Sequence, residues 1–218
     1  MKTERIIWIA SYPRSGNTYL RTILRHAFGF LSTSIYPHDL GNNKELEEYV
    51  GHIELNFQDP DQIFKRMGIP FVKTHSTDND QNPAIYVVRD GLKAFKSFYD
   101  FYDGKVPIKN LLQGKIANNL NLGTWGDHIR SWDPSRRPKT LLLRYEEMIC
   151  ELPKVLQEIS EFLGVAIKST HIPPRSRIAE SDGRWVREKR DQKSPFNEEI
   201  VELFIDQNKD VLKEFGYL

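Results

Sequence analysis

Near the start of the chain, Tyr12-Pro13-Arg14-Ser15-Gly16-Asn17-Thr18 brings a guanidinium, the two aliphatic hydroxyls of Ser15 and Thr18 and one glycine into a single short segment. Between a strand and a helix such a segment can hold an anion: free backbone N–H groups and the helix dipole attract phosphate-like oxygens, Gly16 admits close approach, and Arg14 adds a charged fork. The same residues also suit an ordinary strand-to-helix turn with Asn17 as its cap. More cations follow apolar runs elsewhere: Lys73 and His75 after Pro70 to Lys73, Arg89 after Ala84 to Val88, and Arg144 after Thr140 to Leu143. His75 has a side chain able to take a proton near neutral pH, and Lys73 two residues earlier could stabilise developing negative charge. Lys73 could equally be a solvated strand end, Arg89 a partner of Asp90 or Glu146, and His75 a structural imidazole.

These residues are useful together only if the fold collects them. Arg5 to Ser11 reads as a buried strand, and Leu20, Ile23, Leu24, Ala27 and Phe28 then recur at helical spacing. The order repeats at Ala84 to Val88, followed by a helix carrying Leu92, Phe95, Tyr99 and Tyr102, and again at Thr140 to Leu143, followed by a helix from about Leu152 that Gly164 ends. Phe30 to Asp61 reads as an insertion or lid with a short helix at Lys44 to Val50. Gly104 to Gly123 reads as a loop-rich excursion, and Val165 to Lys193 as irregular. Ser194-Pro195 is expected to cap a last helix with Ile200, Val201, Phe204, Ile205, Val211, Leu212 and Phe215 inward. Strands alternating with helices predict an α/β fold: a mostly parallel central sheet flanked by helices, opened by a P-loop-like strand-loop-helix unit, in one domain over 1–218. In such sheets ligands gather beyond the carboxyl ends of the strands, so four sources of positive charge meet at one edge. A polyanion is the expected ligand.

Here the sequence resembles a known family. Ser11 to Leu20 is similar to the T-Y-P-K-S-G-T-T-W loop that holds the 5′-phosphosulfate in sulfotransferases using 3′-phosphoadenosine 5′-phosphosulfate (PAPS). Arg89, with Ser97 eight positions on, resembles the family's 3′-phosphate motif; Phe71-Val72-Lys73-Thr74-His75 resembles its segment with the catalytic Lys and His; Leu143 to Met148 resembles its Y-E-D-[LM] signature. The resemblance implies His75 as general base, with Lys73 and Arg14 stabilising charge on the transferred group. It places Arg14, Ser15, Gly16, Asn17, Thr18, Tyr19, Arg89, Ser97 and Tyr145 on the donor, with Tyr19 and Tyr145 against the adenine. PAPS is then the sulfuryl donor, 3′-phosphoadenosine 5′-phosphate (PAP) the product, and no metal is required. Ser97 could otherwise be a small helix-packing residue, and the two tyrosines core aromatics. An unbroken helix would separate Arg89 and Ser97 by about 12 Å, so both can touch one phosphate only if Arg89 reaches along the helix or the first turn is irregular, and Gly91 suits the second.

The chain departs from the pattern in places. Arg14 stands where many members have Lys, Asn17 where many have Thr, and Tyr19 where Trp is usual. The family's R-K-G…G-D-W segment is reduced to Ser181-Asp182-Gly183-Arg184-Trp185, with Arg175, Arg177 or Arg187 as candidate substitutes. Little sequence remains between strands to enclose an acceptor, which suggests a wide cleft for a hydroxylated small molecule, a carbohydrate or a glycolipid. The family's dimerisation motif is not recognisable.

Composition narrows the other classes. With 218 residues, 31 Lys+Arg against 30 Asp+Glu and 39% hydrophobic residues, the chain is long and apolar enough for a core but nearly neutral. No nucleic-acid partner is expected, against an RNA-binding reading of Arg175, Arg177, Arg184, Arg187, Lys189 and Arg190 with Trp185 stacking. A P-loop nucleotide kinase or NTPase remains the other enzyme reading, although the loop lacks a Lys before Thr18 and has one glycine. One cysteine, Cys150, suits a reducing compartment, and Ile6 to Ala10 is too short for a signal core or membrane span. A cytoplasmic protein is the expectation.

Overall fold

A computed structural model describes residues 6–54, 68, 70–77, 80–116, 122–181 and 196–218. Its centre is a five-stranded parallel sheet in the order β2-β3-β1-β4-β5. The strands are β1 (Ile7–Ser11), β2 (Ser32–Ser34), β3 (Phe71–Thr74), β4 (Ala84–Val88) and β5 (Thr140–Arg144). Side chains in a strand alternate between faces, and here both faces are buried. Ile9, Ile85, Val87 and Leu143 join one core with Leu20, Ile23, Val155, Leu156 and Ile159. Ala10, Tyr86 and Val88 join the other with Phe95, Trp125, Trp132 and Phe204. Each fully buried side chain of this size stabilises the fold by about 1.5–3 kcal/mol, so the apolar runs that read as strands are the residues that hold the layers together.

The first layer is α1 (Asn17–Ile23), prolonged by a π-helical turn over Leu24–Phe28, together with α7 (Leu152–Leu163), which stops at Gly164 in the left-handed conformation as its sequence predicts. The second holds α3 (Gly91–Phe101), α5 (Trp125–Ser131) and α9 (Glu198–Glu214). Gly91 lies where a Cβ would come within 2.7 Å of the Trp125 ring, so its absent side chain lets α3 and α5 touch. The short helices α2 (Lys44–Val50), α4 (Ile108–Leu112), α6 (Tyr145–Cys150) and α8 (Arg175–Ser181) complete the described elements. No described helix is long and apolar enough to cross a membrane.

Several sequence expectations change. The stretch read as a lid contains β2, a Ser-Thr-Ser strand with no apolar residue to announce it, paired to β3 along Ser32↔Phe71 to Ser34↔Lys73. Residues 55–61 of that stretch lie outside the described residues. Within the supposed loop after α3, Pro107 precedes α4, and just beyond that stretch Thr124 with Asp127 forms a capping box that starts α5. The region from Val165, read as irregular, includes α8; its remainder, 182–193, is outside the described residues. The last helix is capped by Asn197, whose side chain accepts from the Ile200 amide, not by Ser194, which also lies outside them.

Candidate active site

The register of the sheet sets the site. Ile9 pairs with Lys73 and Ala10 with Tyr86, so the carboxyl ends of β1, β3 and β4 finish side by side. Beyond them is a cleft of about 380 Å³ whose wall includes Arg14, Gly16 to Tyr19, Lys73, His75, Arg89, Ser97 and Tyr145. Every site residue expected from the sequence except Ser15 lines it. Ser15 is buried within the same loop instead.

The loop after β1 is held in a backbone shape that ordinary turns avoid. Arg14 has φ of 66° and Gly16 of 106°. At Gly16 a Cβ would stand 2.4 Å from Cδ2 of Tyr145, so the ring of Tyr145 rests directly on the glycine. Asn17 is not the side-chain cap of α1. Its amide donates to the Ile9 carbonyl at 3.0 Å and ties the helix start to β1, while Gly16 occupies the cap position without a side-chain bond.

Arg89 and Ser97 are joined through Arg14. Arg89 Nη1 donates to the Arg14 carbonyl at 2.7 Å, and Arg14 Nε donates to Ser97 Oγ at 3.3 Å. The helix start makes this possible, because α3 begins only at Gly91 and leaves Arg89 outside it. The suggested partners of Arg89 are engaged elsewhere: Asp90 caps α3, and Glu146 accepts from the Asp90 amide and the Tyr217 hydroxyl. The Arg89 guanidinium lies 4.5 Å over the Tyr145 ring, and Arg175 of α8 lies 5.3 Å over the same ring. Arg175 thereby enters the cleft as a further cation, whereas Arg177 pairs with Glu180 at the surface; Arg187 falls outside the described residues.

Arg144 requires a correction. It ends β5, but its guanidinium donates to the Phe215 carbonyl at 2.8 Å and stacks over Tyr217 at 4.7 Å. The chain enters α6 at once after β5, and the C-terminal residues cover that end of the sheet. Only three of the four strand ends bring charge to the cleft.

His75, on the wall of the cleft, has a defined tautomer. Its Nδ1–H donates to the Ser11 carbonyl at 2.7 Å, which leaves Nε2 as the acceptor. Burial, with the Lys73 ammonium beside it, pushes the imidazole down to about 3. It is neutral at neutral pH. The supporting residue that sequence reasoning passed over is His128 of α5, whose Nε2–H donates to the His75 carbonyl at 2.9 Å while Nδ1 accepts from Tyr86. Nothing in its spacing marks this, since the two histidines are 53 residues apart.

Asp39 is the other residue missed. It sits in the loop after β2 and contacts both Lys73 and Arg21. Although burial alone would raise its carboxyl, Lys73 and Arg21 hold it well below the usual carboxylate range. Lys73 is therefore the buried partner of a carboxylate, not a solvated strand end.

Three buried polar atoms at this edge have no hydrogen-bond partner among the described residues: the donors Ser15 Oγ and Arg89 Nε, and the acceptor Asn17 Oδ1. Native interiors satisfy such groups, so unmatched donors in and behind a cationic cleft are what an anionic ligand would complete. The lining, with cations at Arg14, Lys73, Arg89 and Arg175 and the rings of Tyr19 and Tyr145, fits an anionic ligand that carries an aromatic group.

Known proteins agree in fold. The structure of mouse sulfotransferase SULT7A1 complexed with PAP superposes with a TM-score of 0.59 at 21% identity, covering 97% of this chain and 89% of that one. Retinol dehydratase in complex with androsterone and the inactive cofactor PAP gives 0.56 at 18% identity, covering 96% and 81%. In sequence, mouse sulfotransferase 4A1 is 22% identical over 175 residues, 73% of this chain and 60% of that protein. Sulfotransferase 2A1 of Macaca fascicularis is 26% identical over 181 residues, covering 77% and 62%. This chain thus spans about three fifths of the length of these curated relatives. The profile of the sulfotransferase domain matches residues 4–205, nearly the whole sequence, and the chain belongs to the sulfotransferase family.

Proposed function

We propose that this protein, as one sulfotransferase domain over 1–218, transfers a sulfuryl group from PAPS to a hydroxyl acceptor, with His75 as general base. The observation that carries the reading is the state of His75: its Nδ1–H is spent on the Ser11 carbonyl, so Nε2 keeps its lone pair, and the residue lines the cleft together with Lys73, Arg14 and Arg89.

The donor, when bound, supplies the activated sulfuryl group and two anionic ends. The loop from Arg14 to Thr18 holds the 5′ end through backbone N–H groups and the Ser15 and Thr18 hydroxyls. Arg89 and Ser97 hold the 3′-phosphate, where Arg89 Nε awaits an acceptor, and Arg175 closes over it from α8. Tyr145 and Tyr19 flank the adenine. His75 Nε2 takes the acceptor's proton, and Lys73 and Arg14 stabilise the charge on the transferred group. A base poised near 3 is weak, but the anionic donor beside it favours the imidazolium and strengthens it when it is needed.

Phe98, Phe101, Tyr102 and Ile116 form the wall beyond Arg14. They suit the apolar body of a hydroxylated small molecule better than the carbohydrate or glycolipid that a wide open cleft would favour. The lone exposed Cys150 fits a reducing compartment, and we place the protein in the cytoplasm.

The test combines calorimetry with PAP and transfer of labelled sulfate from PAPS onto hydroxylated acceptors. His75→Ala is expected to bind PAP nearly as wild type does and to transfer at least about 100-fold more slowly. Loss of PAP binding in His75→Ala, or preference for magnesium-ATP over PAP in the wild type, refutes the assignment.

A further inference from the structure

The buried charges behind the cleft form a chain that the proposed reaction does not yet use. Arg21 of α1 is wholly buried, with every nitrogen of its guanidinium engaged. Nε donates to Ser32 Oγ at 2.8 Å, Nη1 to Asp39 Oδ2 at 2.7 Å, and Nη2 to His52 Nδ1 at 2.7 Å. Because His52 Nδ1 accepts, its Nε2–H donates to Glu54, and the ring is neutral; burial and Arg21 both pull it below the ordinary imidazole range. Arg21 is thus fixed from three segments and has no freedom to follow a ligand.

Asp39 receives that fixed cation on one oxygen and Lys73 on the other, with the Asp39 and Lys73 side chains only 4% and 5% exposed. The adjacent Leu40 is buried with Leu46, Val50 and Ile178, so the loop bearing Asp39 is anchored from its other side as well. We propose that Asp39 is a positioning residue for the transfer site: clamped on Arg21, its carboxylate fixes the Lys73 ammonium on the wall of the cleft and keeps it charged. This inference rests on the sulfotransferase reading for its consequence, but not for its geometry.

The groups facing Lys73 show why the carboxylate is needed. Arg14 and Arg21 repel its charge, His75 beside it is neutral, and the Tyr36 ring lies 5.5 Å from Nζ. Burial is the largest influence and lowers the ammonium, whereas Asp39 opposes it. Without Asp39, two buried cations and Arg14 would share one region. Lys73 would shed its proton, and a neutral amine offers little to an anionic sulfuryl group.

Asp39→Asn removes the charge and keeps the shape. The Lys73 side-chain NMR titration is followed in the ligand-free protein, with Lys73→Arg identifying the signal. Lys73 is expected to stay charged through pH 8 in the wild type, and its midpoint to fall by about two pH units in Asp39→Asn. The ratio of variant to wild-type kcat then drops about tenfold between pH 7 and pH 9 as the amine deprotonates, and Asp39→Glu restores a flat ratio. A carboxylate that merely stabilised the fold would lower the rate equally at every pH. An unchanged midpoint, or a ratio independent of pH, overturns the proposal. Should Asp39→Asn not fold, the wild-type titration decides: a neutral Lys73 at pH 7 overturns it, and a charged one at pH 8 supports it. If the wild type transfers no sulfuryl group, the reading of function falls, while the ligand-free titration still decides whether Asp39 holds the charge.

Discussion

His128 offers the sharpest quantitative test of how the site is built. It is 0% exposed, donates to the His75 carbonyl and accepts from the Tyr86 hydroxyl, so a second ring proton would have to displace Tyr86. Burial pushes it from 6.5 down to about 4. Because the folded value lies below the unfolded one, the unfolded chain binds the extra proton first. The stabilisation is complete above about pH 6.5 and is lost as pH falls toward 4. Each pH unit in that window costs about 1.4 kcal/mol, so moving from pH 6.5 to pH 5 removes about 2 kcal/mol through this one ring. The perturbation is His128→Gln, which keeps a donor for the His75 carbonyl and cannot titrate. Urea unfolding of both proteins at pH 7 and pH 5 gives the difference directly. The wild type is the more stable at pH 7, and its advantage shrinks by about 2 kcal/mol at pH 5. An advantage that stays constant between the two would show that His128 titrates normally in the fold, and the picture of a neutral, locked support beneath His75 would be wrong.

Other parts of the site make separate demands. Gly16→Ala places a methyl 2.4 Å from the Tyr145 ring at a φ of 106°, and is expected to cost about 2–4 kcal/mol in urea unfolding and to weaken PAP through displacement of Tyr145. Arg89→Met should lower PAP affinity about 10- to 100-fold by calorimetry, the worth of a charged hydrogen bond, while unfolding shifts much less. Arg175→Ala should weaken PAP about three- to tenfold, whereas Arg177→Ala, at a surface ion pair with Glu180, should leave it unchanged.

Which of these residues could be read from the sequence follows from how each is positioned. Lys73, His75 and Arg89 follow β-branched runs, and a buried parallel strand delivers what comes after it to a predictable edge. The loop from Arg14 to Thr18 is legible for the same reason, with Gly16 marking the backbone shape. Where one strand end fails, at Arg144, the cause is tertiary: the chain turns immediately into α6, and the C-terminal Phe215 carbonyl and Tyr217 ring capture the guanidinium. β2 escaped because its Ser-Thr-Ser sequence carries no apolar signal; it forms at the sheet edge, with Ser32 held by Arg21. α5 and α8 are short, and their inward residues are too few for a period to emerge.

His128 and Asp39 escaped for a deeper reason. Each acts through another residue: His128 meets the His75 backbone across 53 positions, and Asp39 reaches Lys73 across 34. Period and spacing describe one element at a time, so they locate groups that face the cleft and cannot locate the groups that set those groups' charge. The distinction has a chemical consequence. A neutral imidazole and a charged ammonium side by side are the states the proposed transfer needs, and burial alone would give only the first, because it favours the neutral form of both groups. Burial lowers both His75 and Lys73, and on Lys73 alone Asp39 opposes that fall, so a carboxylate from another segment works against burial at one of two neighbouring residues of a single strand end.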